Sequence, residues 1–399
     1  MIKVGMISLR LWKVKKELFV LLLSGIMTGC AISPVARQKQ TGLASQETVE
    51  SRPETSLEKD AYSMALDKSR QNEMRDDLSN VFQEQGRIIL KGSDIKNINT
   101  FKVSSNGTMF ITDFERRKVE MFDKTGVFSH VIGESGNGPG RHLWPSDVCL
   151  LESARLAIPD FQSHRVNIFS LEGIFLSSFT YTPQKFSAQR LLYNDETHDF
   201  YLYGNRWIND DKGQLLGATL VHNYSEHGEF KSSYLDFPDW ARKLDLYSHD
   251  FPAATIESGK VYIALPFEYK IYQLNGDGNL TTILADNNST FIAPRSGLEK
   301  KATANAIEAA RNIQNWQTTW TPIKSLVVIG DKLFLQYQTF NPLRYTIDIW
   351  SLRTKNKLRT IKTNRILLAK GQDGFVYFLE NSETREQTEY AILRTQVKP

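Results

Sequence analysis

The side chains best suited to chemistry are few and scattered. The chain has seven His and two Cys among 399 residues. No His-Glu-x-x-His pair, no Cys/His spacing for a metal and no Gly-x-Ser-x-Gly elbow occurs. The stretch Asn275-Gly276-Asp277-Gly278-Asn279 has the look of a calcium loop. It lacks the downstream Glu and sits inside a hairpin pattern, so it reads as a turn. Residues 133–140 (GESGNGPG) are rich enough in Gly to suggest a phosphate loop, but Trp144-Pro145 and a strand follow where a helix is required. Cys149 lies in the apolar run Val148-Cys149-Leu150-Leu151 and reads as a buried small hydrophobe. These observations lead to an expectation of no catalytic set, no cofactor and no bound metal, and to a binder in preference to an enzyme.

The elements that would position a site are far more legible. Residues 101–133 and 146–180 say nearly the same thing twice. In each, an apolar run ends in Asp-Phe (Asp113-Phe114, Asp160-Phe161), and a base follows five residues after the Asp (Lys118, Arg165). An alternating strand, a Gly turn (Gly126, Gly173) and a last apolar strand complete the unit. A repeat of about 45 residues built from four short strands is the pattern of a β-propeller blade. Further units begin near Arg190, Ala253, Lys324 and Arg365. The sixth has three strands, and residues 87–91 (RIILK) supply a fourth from the other end of the chain. The expected fold is therefore all-β, a six-bladed propeller of four-stranded blades over residues 85–399. Closure by both chain ends removes an exposed edge strand.

The stretches ITDFERRKVEMFD and IPDFQSHRVNIF, the loop 132–140 and the aromatic-Pro step Trp144-Pro145 resemble NHL repeats. The whole resembles six-bladed NHL- or TolB-like propeller lipoproteins of Bacteroidetes-type bacteria. The good matches cover the first two blades; the later units lack the Asp before the second hairpin. The resemblance implies the fold and no particular activity.

The N-terminus reads as a leader. Lys3, Arg10, Lys13, Lys15 and Lys16 precede a short apolar core that ends Met27-Thr28-Gly29-Cys30. Residues 1–29 read as a signal peptide and Cys30 as a lipidation site, because a basic head, a core too short to span a bilayer and small residues before a Cys occur in that order. Five bases and one acid (Glu17) in this leader account for all of the formal net charge of +4. The remainder is neutral, and no nucleic-acid partner is expected. Residues 30–84 form a tether, polar at first and helical over 56–82.

Propeller geometry brings the loops between second and third strands to the same face as the joints between blades. On that rim the sequence places Arg116, Arg117, His164, Arg206, Trp207 and Tyr269 from the loops. The joints add Arg141, His142 and Trp144, and the long joint 287–322 adds Trp316 and Trp320 after a helix expected over 297–314. Aromatics with convergent polar groups suit a binding face. Trp144 reads equally well as a plug between blades. Asp113 and Asp160, with Lys118 and Arg165, read as turn-capping and ion-pair residues of the repeat. The expected function is an envelope-tethered lipoprotein propeller, held to the membrane by its lipid, that binds a protein, peptide or glycan. The alternative is a propeller enzyme of the lactonase or lyase kind with a metal in the central channel. The mostly apolar inner strands weigh against it.

Overall fold

The structure, a computed structural model, describes residues 76–398 except 182–185, 210–214, 245, 247–251, 286–289, 296–311, 313–315, 317, 340–343 and 384–387. Cys30, the leader and most of the tether lie outside the described residues, as does nearly all of the helix expected over 297–314.

Alternating side chains build the ring. Six antiparallel four-stranded sheets follow one another along the chain. Blade one comprises Ile98–Val103, Met109–Asp113, Lys118–Phe122 and Phe128–Val131, counted from the inner strand outward. Blades two to five repeat this order from Cys149, Arg190, Ala253 and Ile323. Because successive strand residues point to opposite faces, each blade fills two cores. In blade two, Leu156 and Ile158 pack toward blade one, whereas Ala157 packs toward blade three. A hydrophobic cluster of this kind joins every neighbouring pair of blades, including six to one.

The sixth blade is closed as expected from both ends of the chain. Its strands are Ile366–Lys370, Val376–Glu383 and Thr388–Val397, with Phe82–Ile89 outermost. The register runs from Phe82 opposite Val397 to Ile89 opposite Ala391. The closing strand thus starts earlier than the 87–91 expected. Phe82 explains the shift: it is buried, with ring centroids 5.4 Å from Phe334 and 5.0 Å from Phe378. Of the helix expected over 56–82 only residues from 76 on are described, and there the chain forms a single 3-10 turn, Asp77–Asn80, capped by the Asp76 carboxylate accepting from Leu78 N at 3.0 Å.

The repeated Gly turns have a tertiary reason. Gly126 (φ +92°) sits so close to the closing strand that a Cβ would lie 2.3 Å from the Ile89 carbonyl oxygen. Gly173 (φ +85°) occupies the same place in blade two, against His130 and Ile132 of blade one. Positive φ and close approach together require Gly.

Candidate functional site

The recurring Asp of the repeat organises one rim of the ring. Asp113 is fully buried and accepts from Arg116 N (3.0 Å) in its own blade and from Lys96 N (2.8 Å) in the joint leading into it. Asp160, also fully buried, does the same with more donors. It accepts from Gln162 N (3.0 Å), Ser163 N (2.6 Å), Leu143 N (2.7 Å) and Trp144 N (2.8 Å). Each Asp therefore stitches the turn after the second strand to the incoming joint, which puts turn and joint on one face. The turn-capping expectation holds. The ion-pair half of it does not: neither Asp113 with Lys118 nor Asp160 with Arg165 pairs among the described residues, and Arg165 Nη1 donates instead to Ser178 Oγ at 3.0 Å. Asp160 fills its four acceptor sites with backbone N–H groups, whereas Asp113 uses two of its own on the turn and the joint.

These stitches assemble a cluster between blades one and two. The Arg117 guanidinium lies over the Trp144 ring, 4.5 Å from its centroid. Trp144 in turn contacts Phe114 (5.0 Å) and Phe161 (6.2 Å), the two Phe of the repeated Asp-Phe step. Arg116 forms an ion pair with Asp94. His164, held at φ +54°, sets its ring edge-on to Tyr181 at 5.8 Å. Several buried polar atoms here have no hydrogen-bond partner: Asn97 Nδ2, Arg116 Nε, Trp144 Nε1, Ser163 Oγ, His164 Nδ1 and Arg165 Nε. An unmet buried donor costs about 1–3 kcal/mol, so their concentration on one rim marks it as unusual.

The other expected rim residues are distributed differently. Trp316 and Trp320 are buried, packed on each other at 5.2 Å in the core between blades three and four, and are not offered to solvent. The reason is the long joint, whose ends close on themselves through Thr321 N to Ile292 O (2.9 Å) and so bring both indoles down over that core. Tyr269 is likewise buried; its hydroxyl donates to Asp348 Oδ2 at 2.5 Å and accepts from Trp350 Nε1 at 3.1 Å, tying blade four to blade five. His142 is buried against Gly133, where a Cβ would lie 2.6 Å from its Nε2. Trp144 is only 5 % exposed, so the plug reading describes its packing. Arg206 lies within the strand Asp199–Asn209 rather than in a loop, and donates to Ser233 Oγ at 3.3 Å. Trp207 is on the same strand opposite Ala218, and its side chain lies outside the described residues. Arg141 is exposed and pairs with Glu134 at 3.2 Å, a surface contact worth little.

Sequence reasoning missed Asn97 as a rim residue and missed a second regularity. The third strands of five blades carry a polar residue at a common place, second in each of Val119-Glu120-Met121-Phe122, Val166-Asn167-Ile168-Phe169, Val221-His222-Asn223-Tyr224, Ile271-Tyr272-Gln273-Leu274 and Ile347-Asp348-Ile349-Trp350. In three of them it bonds a neighbouring loop, joint or strand. Glu120 accepts from Ser93 Oγ (2.6 Å), Asn167 binds Gly140 N (3.1 Å) and Arg141 O (2.9 Å), and His222 Nε2 meets Gly204 O (2.8 Å). The signal was visible as a polar residue repeating inside an otherwise apolar strand.

The central channel is bridged at both ends. Arg190 Nη1 of blade three lies 3.4 Å from Asn99 Oδ1 of blade one, near where the inner strands begin. Where they end, Lys370 of blade six meets Glu257 of blade four at 2.7 and 2.9 Å. Among the described residues no group of three or more His, Cys, Asp or Glu is placed to hold a metal ion.

Two buried imidazoles make stability pH-dependent. Burial pushes His142 down from 6.5 to about 4, against the pull of Asp160, and burial does the same to His222. A His whose pKa is lower folded than unfolded leaves the unfolded state binding more protons between those values. Its contribution is full above pH 6.5 and is lost as pH falls toward 4, up to about 3 kcal/mol for each. Urea melts at stepped pH should show this decline, and His222→Gln should make it shallower. Stability that is flat or rising between pH 6.5 and 4.5 would refute it.

With the ring and rim described, the chain can be placed. It belongs to the DUF5128 family of six-bladed β-propellers, which it matches over residues 71–319. No curated protein matches it. Among solved structures it is similar to a candidate exported protein from Bacteroides fragilis, at 14 % identity and TM-score 0.55, covering 80 % of this chain and 96 % of that one. It is also similar to a member of the duf4221 family from Bacteroides vulgatus, at 8 % identity and TM-score 0.51, covering 79 % and 98 %. These likenesses show the shared fold. No helix among the described residues is long and apolar enough to cross a membrane.

Proposed function

We propose that this chain is an exported propeller, anchored in the bacterial envelope through lipidated Cys30, that binds a protein, peptide or glycan on the rim between blades one and two. The observation that carries the binding reading is the rim itself: the exposed Arg117, its guanidinium stacked on Trp144, at the face where the turns and joints of blades one and two meet. Export is supported by the basic, apolar and small-residue order of residues 1–30 and by the similar Bacteroides fragilis protein. The enzyme alternative has no ligand set for a metal among the described residues, and its channel is crossed by side-chain bridges.

Anchoring and binding are tested separately. Cys30→Ser should abolish fatty-acid labelling in cells and release the protein from the membrane fraction. Undiminished labelling would sink the anchor. For binding, a photo-crosslinking amino acid at Arg117 should yield adducts in intact cells, whereas the same group at Lys124, exposed on the opposite face, should not. Equal adduct patterns from the two positions would show that the rim is not the binding face.

A further inference from the structure

We infer that the outer edge of blade five, residues 353–362, docks on an anionic phospholipid surface and so turns the rim away from the membrane, an inference that rests on the chain being held at the envelope membrane. Residues 353–362 carry five bases, Arg353, Lys355, Lys357, Arg359 and Lys362, and no acid. All of residues 353–360 are exposed, and Leu358, in the midst of the bases, is 54 % exposed. Lys332, opposite Ser351 in the sheet, and Lys398, whose Nζ donates to Ser79 O at 2.7 Å, extend the basic surface. The acids that adjoin it are Asp77 of the 3-10 turn, buried Asp348 and Asp331, which accepts from Ser351 Oγ at 2.7 Å and Arg353 N at 2.6 Å. The bases outnumber them.

Two simpler roles do not account for these bases. Lysines on an edge strand deter edge-to-edge pairing. Yet the outermost strands Phe128–Val131, Phe175–Thr180 and Leu280–Ala285 of the same ring hold no Lys, Arg, Asp or Glu, so the fold does not require charge there. Nor does the protein use most of them. Lys357 Nζ lies 3.7 Å from Asp348 and 5.7 Å from the centroid of Trp350, and Arg359 Nη1 donates to Asn80 O at 3.3 Å. The side chains of Arg353, Lys355 and Lys362 make no hydrogen bond or ion pair among the described residues.

A membrane is favoured over an acidic protein by where the chain enters the ring. The bond from Arg359 to Asn80 sets this strand against the turn Asp77–Asn80, so the segment that carries Cys30 joins the ring at its basic edge. An acyl chain with a basic patch is the pair of signals that stable membrane attachment combines. A Leu among bases suits the interface, where it is buried while the cations meet phosphate. Protein partners are gripped chiefly through aromatic and Arg anchors in a packed centre, and this surface holds no exposed aromatic. The turn from third to fourth strand, residues 352–356, lies at the Ser351 end of blade five, and the rim lies at the Tyr345 end. Docking here therefore leaves the rim facing outward.

The test uses the full-length chain carrying Cys30→Ser, so that no acyl chain contributes and buried Cys149 is the only other thiol. An environment-sensitive fluorophore is placed at Leu358→Cys or, on the rim, at the exposed Glu115→Cys. Vesicles with brominated acyl chains are made of phosphatidylcholine with or without phosphatidylglycerol; the leader is common to every sample. The label at 358 should be quenched only by the vesicles with phosphatidylglycerol, and the label at 115 by neither. Changing Arg353→Gln, Lys355→Gln and Lys362→Gln together should lower the docked fraction relative to the undocked by about a hundredfold and so remove the quenching. Lys118→Gln, exposed at the rim end of blade one, should leave it unchanged. Quenching at 358 that is absent, equal on neutral vesicles or indifferent to the triple change would overturn the inference. Quenching at both positions would overturn the orientation. Displacement of the label by decaglutamate, at a carboxylate concentration below that of the lipid phosphate, would assign the surface to an acidic protein instead. If Cys30 takes no fatty acid in cells while 358 is still quenched, the anchor is wrong and the docking surface stands.

Discussion

A chain that begins at Ser93 should fail to melt cooperatively, whereas one that begins at residue 71 should melt like the full-length protein. The first lacks Phe82–Ile89, the outermost strand of the last blade, so it exposes the edge of Thr388–Val397 along its whole paired length. It also removes Leu78 and Phe82, both nearly fully buried in the core between blades five and six. Burial of two such side chains is worth about 1.5–3 kcal/mol each, and the loss of the strand's hydrogen bonds comes on top. Together these approach the whole stability of an ordinary domain, about 5–15 kcal/mol. The bared edge would further invite pairing between molecules. The single change Phe82→Ala isolates the packing part. It should cost about 3–5 kcal/mol and lower the melting temperature by roughly 10 °C. Indistinguishable melts for the two truncations would mean that the ring does not depend on this strand.

Asp160→Ala should be the most damaging single change on the rim, and clearly worse than Asp113→Ala. Asp160 serves four backbone N–H groups and Asp113 two. Each N–H left unmet in a buried place costs about 1–3 kcal/mol, less whatever water can enter to replace the carboxylate. A loss of at least 3 kcal/mol is therefore expected for Asp160→Ala in urea unfolding, with Asp160→Asn intermediate because one acceptor oxygen survives. The same variant should lose rim binding, since Trp144 and Ser163 are placed by that carboxylate. A variant that unfolds like wild type yet no longer binds would recast Asp160 as a ligand-contacting residue. A variant worse in Asp113 than in Asp160 would contradict the donor count.

The amino-acid order alone determined the architecture of this protein. Strand alternation, Gly turns and the Asp-Phe step are local features, and each blade repeats them at one spacing, so blade number and strand number could be read without tertiary information. Closure was legible too, because a blade with three strands and an unclaimed strand at the other chain end leave one economical solution. The site was only partly legible. That turns and joints share a face follows from strand order, which is why Arg116, Arg117 and His164 were found together. Which aromatics stay exposed depends on partners far away in the chain. Trp320 is buried against residues such as Phe237 and Phe267, and Tyr269 is buried because Asp348 and Trp350 of the next blade reach its hydroxyl. No window of sequence contains both members of such a pair. Only the closed ring, in which every blade face must find a cover, decided that Trp144, Trp316, Trp320 and Tyr269 would hold the blades together, and that the unmet donors would gather between the first two.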